Sequence, residues 1–253
     1  LDEDFCFEEF ADRVAELVEK HVNINRLLEL TKPVATAVVP ISAGRHIYKR
    51  EPSFPIAVAC DPAFNFVYEA NIRYLHHLGE VTYFSPLADT SLPDAGFVYL
   101  PGGYPELYLA ALSANRQMLQ SIRRYVESGG KLLAECGGMM YLCDEIRDKN
   151  GDVYPMAGVL HQSATMENMK LRLGYRTLLY NETRLKGHEF HYSRLVEQQN
   201  PLPSCAVAYT AKGVETDTPL YHYKNVWAGY THLYWADPVG NEWFTKFVID
   251  GNT

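Results

Sequence analysis

From Phe54 onward the chain alternates short apolar runs with helical stretches, and that rhythm constrains the fold more than any single residue. Ile56 to Cys60 reads as a buried strand, and residues 64–79 read as a helix ending at Gly79. Val81 to Phe84 and Ala95 to Leu100 are the next strands. Two helical segments, 105–113 and 115–128, then close at Gly129-Gly130, and Lys131 to Glu135 runs directly into Cys136-Gly137-Gly138. Strands alternating with helices imply right-handed crossovers and a mainly parallel sheet flanked by helices, an α/β fold. Active sites in such sheets lie beyond the C-terminal ends of the strands.

The second half changes character. Segments 153–160, 171–180, 186–195, 204–210 and 213–218 are short, rich in aromatic residues, Thr and Val, and separated by Gly, Pro or Asn, so they are expected as antiparallel strands added to the sheet or beside it. Val226 to Leu233 reads as one further buried strand and 238–250 as a closing helix. Ahead of this region, Phe7, Phe10, Val14, Leu17, Val18 and His21 recur at helical spacing. Asn23 or Asn25 is placed to cap a second short helix carrying Leu27, Leu28 and Leu30. Residues 31–53, with three prolines and a glycine, read as a connection. The expected organisation is therefore 1–53 as helices plus linker and 54–253 as one domain.

Composition narrows the function classes. Of 253 residues 47% are hydrophobic and 21% charged, and the net charge is -8. An acidic balance without a basic run argues against nucleic-acid binding, which depends on neutralising phosphates. No apolar run approaches the ~20 residues of a membrane span. Five cysteines without paired spacing indicate neither a disulfide framework nor a zinc site. No metal is expected, because the histidines lack ligand spacing; His188 and His191 fall on opposite faces of an alternating strand. With no secretion signal and thiol chemistry in prospect, a cytoplasmic protein is expected.

The chemistry concentrates around Cys136. A strand ends, one residue turns sharply, and a helix begins, the arrangement of a nucleophile elbow. There a helix N-terminus lowers a thiol's pKa, and backbone N–H groups can hold an oxyanion. The plainer reading, a buried structural cysteine, fits an isolated Cys better than one between a strand and two glycines. A thiol nucleophile needs a base. Among nine histidines, His232 ends a buried-looking strand and falls on the same sheet edge as Cys136 if that strand is parallel. His188 and His191, flanking Glu189, read equally well as packing residues. Pro101-Gly102-Gly103 ends the preceding strand and offers backbone N–H groups at the same edge.

Taken together, Ile56-Ala57-Val58-Ala59-Cys60-Asp61-Pro62-Ala63-Phe64-Asn65-Phe66, the Pro-Gly-Gly-Tyr-Pro-Glu run at 101–106, the elbow at 134–138, Gly-His-Glu-Phe-His-Tyr-Ser at 187–193 and the His232 segment resemble the class I glutamine amidotransferase domain of the cobyrinate a,c-diamide synthases. The resemblance implies a flavodoxin-like fold. It implies Cys136 as the nucleophile that takes the glutaminyl group as a thioester and His232 as its base. Gly102, Gly103 and Gly137 would hold glutamine and the oxyanion, with His188, Glu189 and His191 in support. It implies ammonia delivered to a corrin precursor through an ATP-dependent synthetase domain. ATP and Mg belong to that domain, since no Gly-x-x-x-x-Gly-Lys-Ser/Thr run is present, and no cofactor is implied for 54–253.

Two positions depart from the family pattern. Most class I amidotransferases carry Glu two residues after the base; the corrin-amidating branch lacks that Glu and more often reads His-Leu-His, whereas this sequence has Tyr234, and Cys60 stands where the family tends to place a basic residue in the first strand. The chain opens Leu1-Asp2-Glu3, as expected of a piece that begins near the end of a synthetase domain. The helices of 1–30 and the apolar stretch 34–39 would then expose surface suited to a homodimer. Three alternatives stay open at this level: an amidotransferase for another tetrapyrrole such as a nickel-sirohydrochlorin, a different elbow-cysteine hydrolase, disfavoured because Gly137 rather than His follows the Cys, and a non-catalytic docking module with a vestigial Cys.

Overall fold

A computed structural model describes residues 7–31, 54–199 and 201–250. The chain divides into two units, 1–49 and 50–253. In the first, helices α1 (Phe7–His21) and α2 (Ile24–Leu30) form where the periodicity places them, and the Asn23 side chain caps α2 by accepting the Arg26 N–H at 3.0 Å. The connection at 32–53, with the 34–39 stretch, lies outside the described residues.

The second unit opens with β1 (Phe54–Ala59), α3 (Glu69–Leu78), β2 (Gly79–Phe84), β3 (Phe97–Leu100), α4 (Leu109–Ala114), α5 (Arg116–Glu127), β4 (Lys131–Glu135) and α6 (Gly137–Leu142). Short strands follow: β5 (Glu145–Arg147), β6 (Val153–Pro155), β7 (Ser163–Thr165), β8 (Arg172–Tyr180), β9 (Thr183–His191), β10 (Arg194–Leu195), β11 (Val207–Thr210) and β12 (Glu215–Thr216). Last come β13 (Leu220–Tyr223), β14 (Val226–Gly229), β15 (His232–Leu233) and α7 (Pro238–Thr245).

The central sheet has the order β13-β14-β4-β3-β1-β2. Every neighbouring pair in it is parallel except the β13–β14 hairpin. Period-two alternation divides its side chains between two cores. Ala57, Val98, Leu132 and Ala228 face Leu112, Met118 and Ile122 of α4 and α5. Ile56, Tyr99, Leu133 and Trp227 face Ile72 and Leu75 of α3 and Trp243 and Phe244 of α7. Each fully buried aliphatic side chain of this kind contributes roughly 1.5–3 kcal/mol. This is the α/β architecture expected from the sequence. The antiparallel strands form two smaller sheets, β10-β7-β5-β6 and β12-β11-β8-β9-β15.

Three local readings need correction. The helix expected over 64–79 starts only at Glu69, because the Asp61 carboxylate accepts the N–H groups of Ala63 and Leu87 at 2.8 and 3.0 Å and shapes 61–68 into a loop over the sheet edge. The strand expected over 153–160 stops at Pro155, which has no N–H for a ladder. The single strand expected over 226–233 is two. β14 leaves the central sheet at Gly229, and β15 pairs antiparallel with β9 of another sheet.

Candidate active site

Cys136 follows the last residue of β4 with φ 49 and ψ −107, a positive-φ conformation that costs a non-glycine residue on the order of 1–3 kcal/mol. The turn persists because both flanks are fixed. Its N–H donates to Gly229 O at 2.8 Å on the neighbouring strand, and its carbonyl accepts the Met140 N–H at 3.0 Å as the first bond of α6. The side chain is thereby aimed off the sheet edge into a cavity of about 260 Å³.

His232, His188 and Gly103 share that cavity with Cys136, and Phe66, Tyr104 and Phe190 supply its aromatic walls. His232 reaches it by the sheet switch described above, not by ending a parallel strand. Its backbone is fastened from two sides. Asn71 accepts the Trp235 N–H at 2.9 Å and donates to Leu233 O at 2.7 Å, and β15 pairs His232 with His188 and Leu233 with Gly187. Gly187 permits that pairing, since a Cβ there would lie 2.4 Å from His232 O. The imidazole lies against Phe66, with ring centroids 4.4 Å apart, and against Gly102, where a Cβ would meet Cε1 at 2.2 Å. Gly102 thus acts as a seat for the imidazole beside the cavity.

Burial dominates the electrostatics. It pushes the Cys136 thiol up to about 12; Glu106 adds to the rise, while the Gly137 N–H, hydrogen-bonded to the thiol, lowers it. The expected lowering at the helix N-terminus is therefore present but outweighed, because Cys136 is only 5% exposed and α6 is a short helix. Burial likewise lowers the pKa of His188, and His232 beside it adds to the fall.

A family model for the CobB/CobQ-like glutamine amidotransferase domain matches residues 55–239. The chain belongs to that family. It is similar to the cobyrinate a,c-diamide synthase of Picrophilus torridus, 37% identical over 236 residues, which cover 88% of this chain and 49% of that protein. It is also similar to the hydrogenobyrinate a,c-diamide synthase of Pseudomonas aeruginosa, 40% identical over 185 residues, 71% of this chain and 41% of that one. The chain spans about half the length of the curated relatives it matches. A crystal structure of a glutamine amidotransferase superposes with a TM-score of 0.51 at 16% identity, covering 76% of this chain and 98% of the other, a likeness of fold.

In this amidotransferase domain the remaining predicted residues separate. His191 faces the opposite side of β9 from His188, as alternation requires. It stacks on Tyr230 with centroids 3.8 Å apart and is held to Ser193 O at 2.9 Å through Nδ1. It lines a larger cavity of about 550 Å³ that contains neither Cys136 nor His232, and a small one of about 20 Å³ that it shares with Cys136 and Glu106. Glu189 is fully buried and ion-paired to Arg176 at 2.7 Å, away from the thiol's cavity. Among the described residues no group of three His, Cys, Asp or Glu side chains is arranged to hold a metal ion, and no helix is long and apolar enough to cross a membrane. Phe66, Tyr104 and Phe190 escaped the sequence reading of the site. All three lie inside or beside the quoted motifs, but nothing in one dimension marks them as walls of one cavity.

Proposed function

We propose that this domain is the glutaminase unit of a corrin a,c-diamide synthase and that Cys136 and His232 carry the chemistry. The observation that supports this best is their convergence: a thiol on a strained elbow and a buried imidazole open into one cavity that contains Gly103 and is walled by aromatic rings. With a pKa pushed up to about 12, the free thiol stays protonated at neutral pH, so a base must take its proton as glutamine arrives. His232 is that base. The sulfur adds to the carboxamide carbon, and the negative charge forming on oxygen meets the N–H groups of Gly103 and Gly137. The C–N bond then breaks as His232 returns the proton to the departing nitrogen, giving ammonia and a thioester. Water, deprotonated by the same imidazole, cleaves the thioester to glutamate and restores the thiol.

The acceptor half belongs to an ATP-dependent synthetase domain that activates the a and c carboxylates of cobyrinate or hydrogenobyrinate with Mg and ATP. The names of the relatives support cobyrinate or hydrogenobyrinate as the acceptor. Such thiol chemistry suits the reducing cytoplasm.

The test is covalent labelling with a diazo-ketone analogue of glutamine. Cys136 should be modified stoichiometrically, and Cys136→Ala should take up no label. Label that persists in that variant, or appears on Cys143, would overturn the assignment.

A further inference from the structure

The residue that usually orients the catalytic imidazole is missing from its usual place. Tyr234 stands two residues beyond His232, and its ring lies half-exposed and edge-on to Tyr68, with centroids 5.8 Å apart. Yet His232 is 2% exposed, and its Nδ1 is buried with no hydrogen-bond partner. A buried ring nitrogen left without a partner costs free energy, and such a cost calls for a functional reason.

One ionisable group faces it. The carboxylate of Glu135, itself 2% exposed, has Oε2 at 3.8 Å from His232 Nδ1. Its position is fixed independently of His232: Oε1 accepts the Leu233 N–H at 3.0 Å and Oε2 accepts the Tyr99 O–H at 2.7 Å. The imidazole is packed between Phe66 and Gly102, which hold it beside this carboxylate. A slide of about 1 Å brings Nδ1–H to hydrogen-bonding distance from Oε2.

We propose that Glu135 is the positioning residue of this site. It holds His232 in the tautomer with the proton on Nδ1, which leaves Nε2 free to take the thiol proton, and it stabilises the imidazolium that results. The inference rests on the reading of Cys136 and His232 as nucleophile and base. It also explains how the site works with tyrosine at 234. Glu135 is the last residue of β4 and Cys136 is the next, so the same strand end that fixes the nucleophile fixes the group behind the base. The side chains leave the strand in different directions, Cys136 into the cavity and Glu135 toward Tyr99 and Leu233. Orientation of the base is thus built into the elbow.

The experiment measures the inactivation kinetics of the chain by the diazo-ketone analogue, read as label on Cys136. Glu135→Gln keeps acceptor and donor groups for Leu233 and Tyr99 but removes the charge. It should lower the maximal inactivation rate at least about tenfold, with the half-saturating concentration changed less than about twofold and the melting temperature retained. In a His232→Asn background the same substitution should change the slow residual rate less than about twofold, because a residue acting through the imidazole has nothing left to act on. Tyr99→Phe, which frees Oε2 from its tether, should give a smaller loss in the same parameter, and it decides the question should Glu135→Gln fail to fold. An unchanged maximal rate in both variants, or equal losses with and without His232, overturns the proposal. If the unmutated chain takes no label at Cys136, the reading of the site falls first and the inference falls with it.

Discussion

The two halves of the amidotransferase domain place their functional residues by different means. Residues 54–142 place Cys136 and Gly103 just beyond the ends of parallel strands, with a single long-range bond, from the Cys136 N–H to Gly229 O, completing the elbow. Residues 143–235 deliver His232 through long-range structure. The chain leaves the central sheet after Gly229, crosses to the sheet that contains β9, and is pinned by Asn71, by Gly187 and by the Glu135 carboxylate, which come from three separate elements. A cysteine on an elbow depends on few contacts from elsewhere, whereas an imidazole positioned by convergence is exposed to every element that holds it.

That contrast can be broken experimentally. His232→Asn should produce the largest loss, about a hundredfold to ten-thousandfold in labelling of Cys136 by the glutamine analogue. A residual rate near that of the unmutated chain would mean that another group accepts the proton. Gly102→Ala is the next test. Its new methyl group would meet the imidazole at 2.2 Å and must displace it. A misplacement near 1 Å costs about a hundredfold, with Cys136 still in place and the protein still folded. Wild-type labelling in Gly102→Ala would show that the seat is not required.

The thiol gives a third measurement. Because burial raises its pKa to about 12, its thiolate fraction should grow about tenfold per pH unit up to that value. Alkylation of Cys136 by iodoacetamide in the absence of glutamine should therefore keep rising through pH 9 and 10, whereas exposed Cys60 reacts first at neutral pH. A plateau for Cys136 already near pH 7 would mean that a thiolate–imidazolium pair exists in the free site. The same shift bears on stability. A thiol that holds its proton more tightly when folded favours the folded state less once pH exceeds the unfolded pKa near 8.5, and the loss grows toward about 12. The smallest effect belongs to His188→Asn, which lines the cavity beside the base. It should cost less than about tenfold in labelling; a loss equal to that of His232→Asn would mean that the two imidazoles act as one unit.

Much of this site was legible in one dimension. The strand–Cys–Gly–Gly sequence can fold into little besides an elbow, and period-two alternation separated His188 from His191, as the structure bears out. Other features were not legible. A pattern of apolar residues over 226–233 reads as one strand, since periodicity carries no information on which partner each half of it pairs with. Glu135 reads as an ordinary strand end until Tyr99, Leu233 and His232 are brought around it. The level of the thiol's pKa was likewise hidden. Sequence specifies the helix N-terminus that lowers it, but burial by Phe190, Tyr104 and their neighbours exists only after packing.

By itself, then, the sequence determined the α/β scaffold, the elbow and its cysteine, and the glycines at the strand ends, because hydrophobic period, turn geometry and steric size are local properties. The tertiary structure alone decided that His188 joins His232 and Cys136 in one cavity, what walls enclose them and that the Glu135 carboxylate lies 3.8 Å from the His232 ring. Those depend on distances between residues roughly a hundred positions apart, and such distances are set by sheet pairing and core packing.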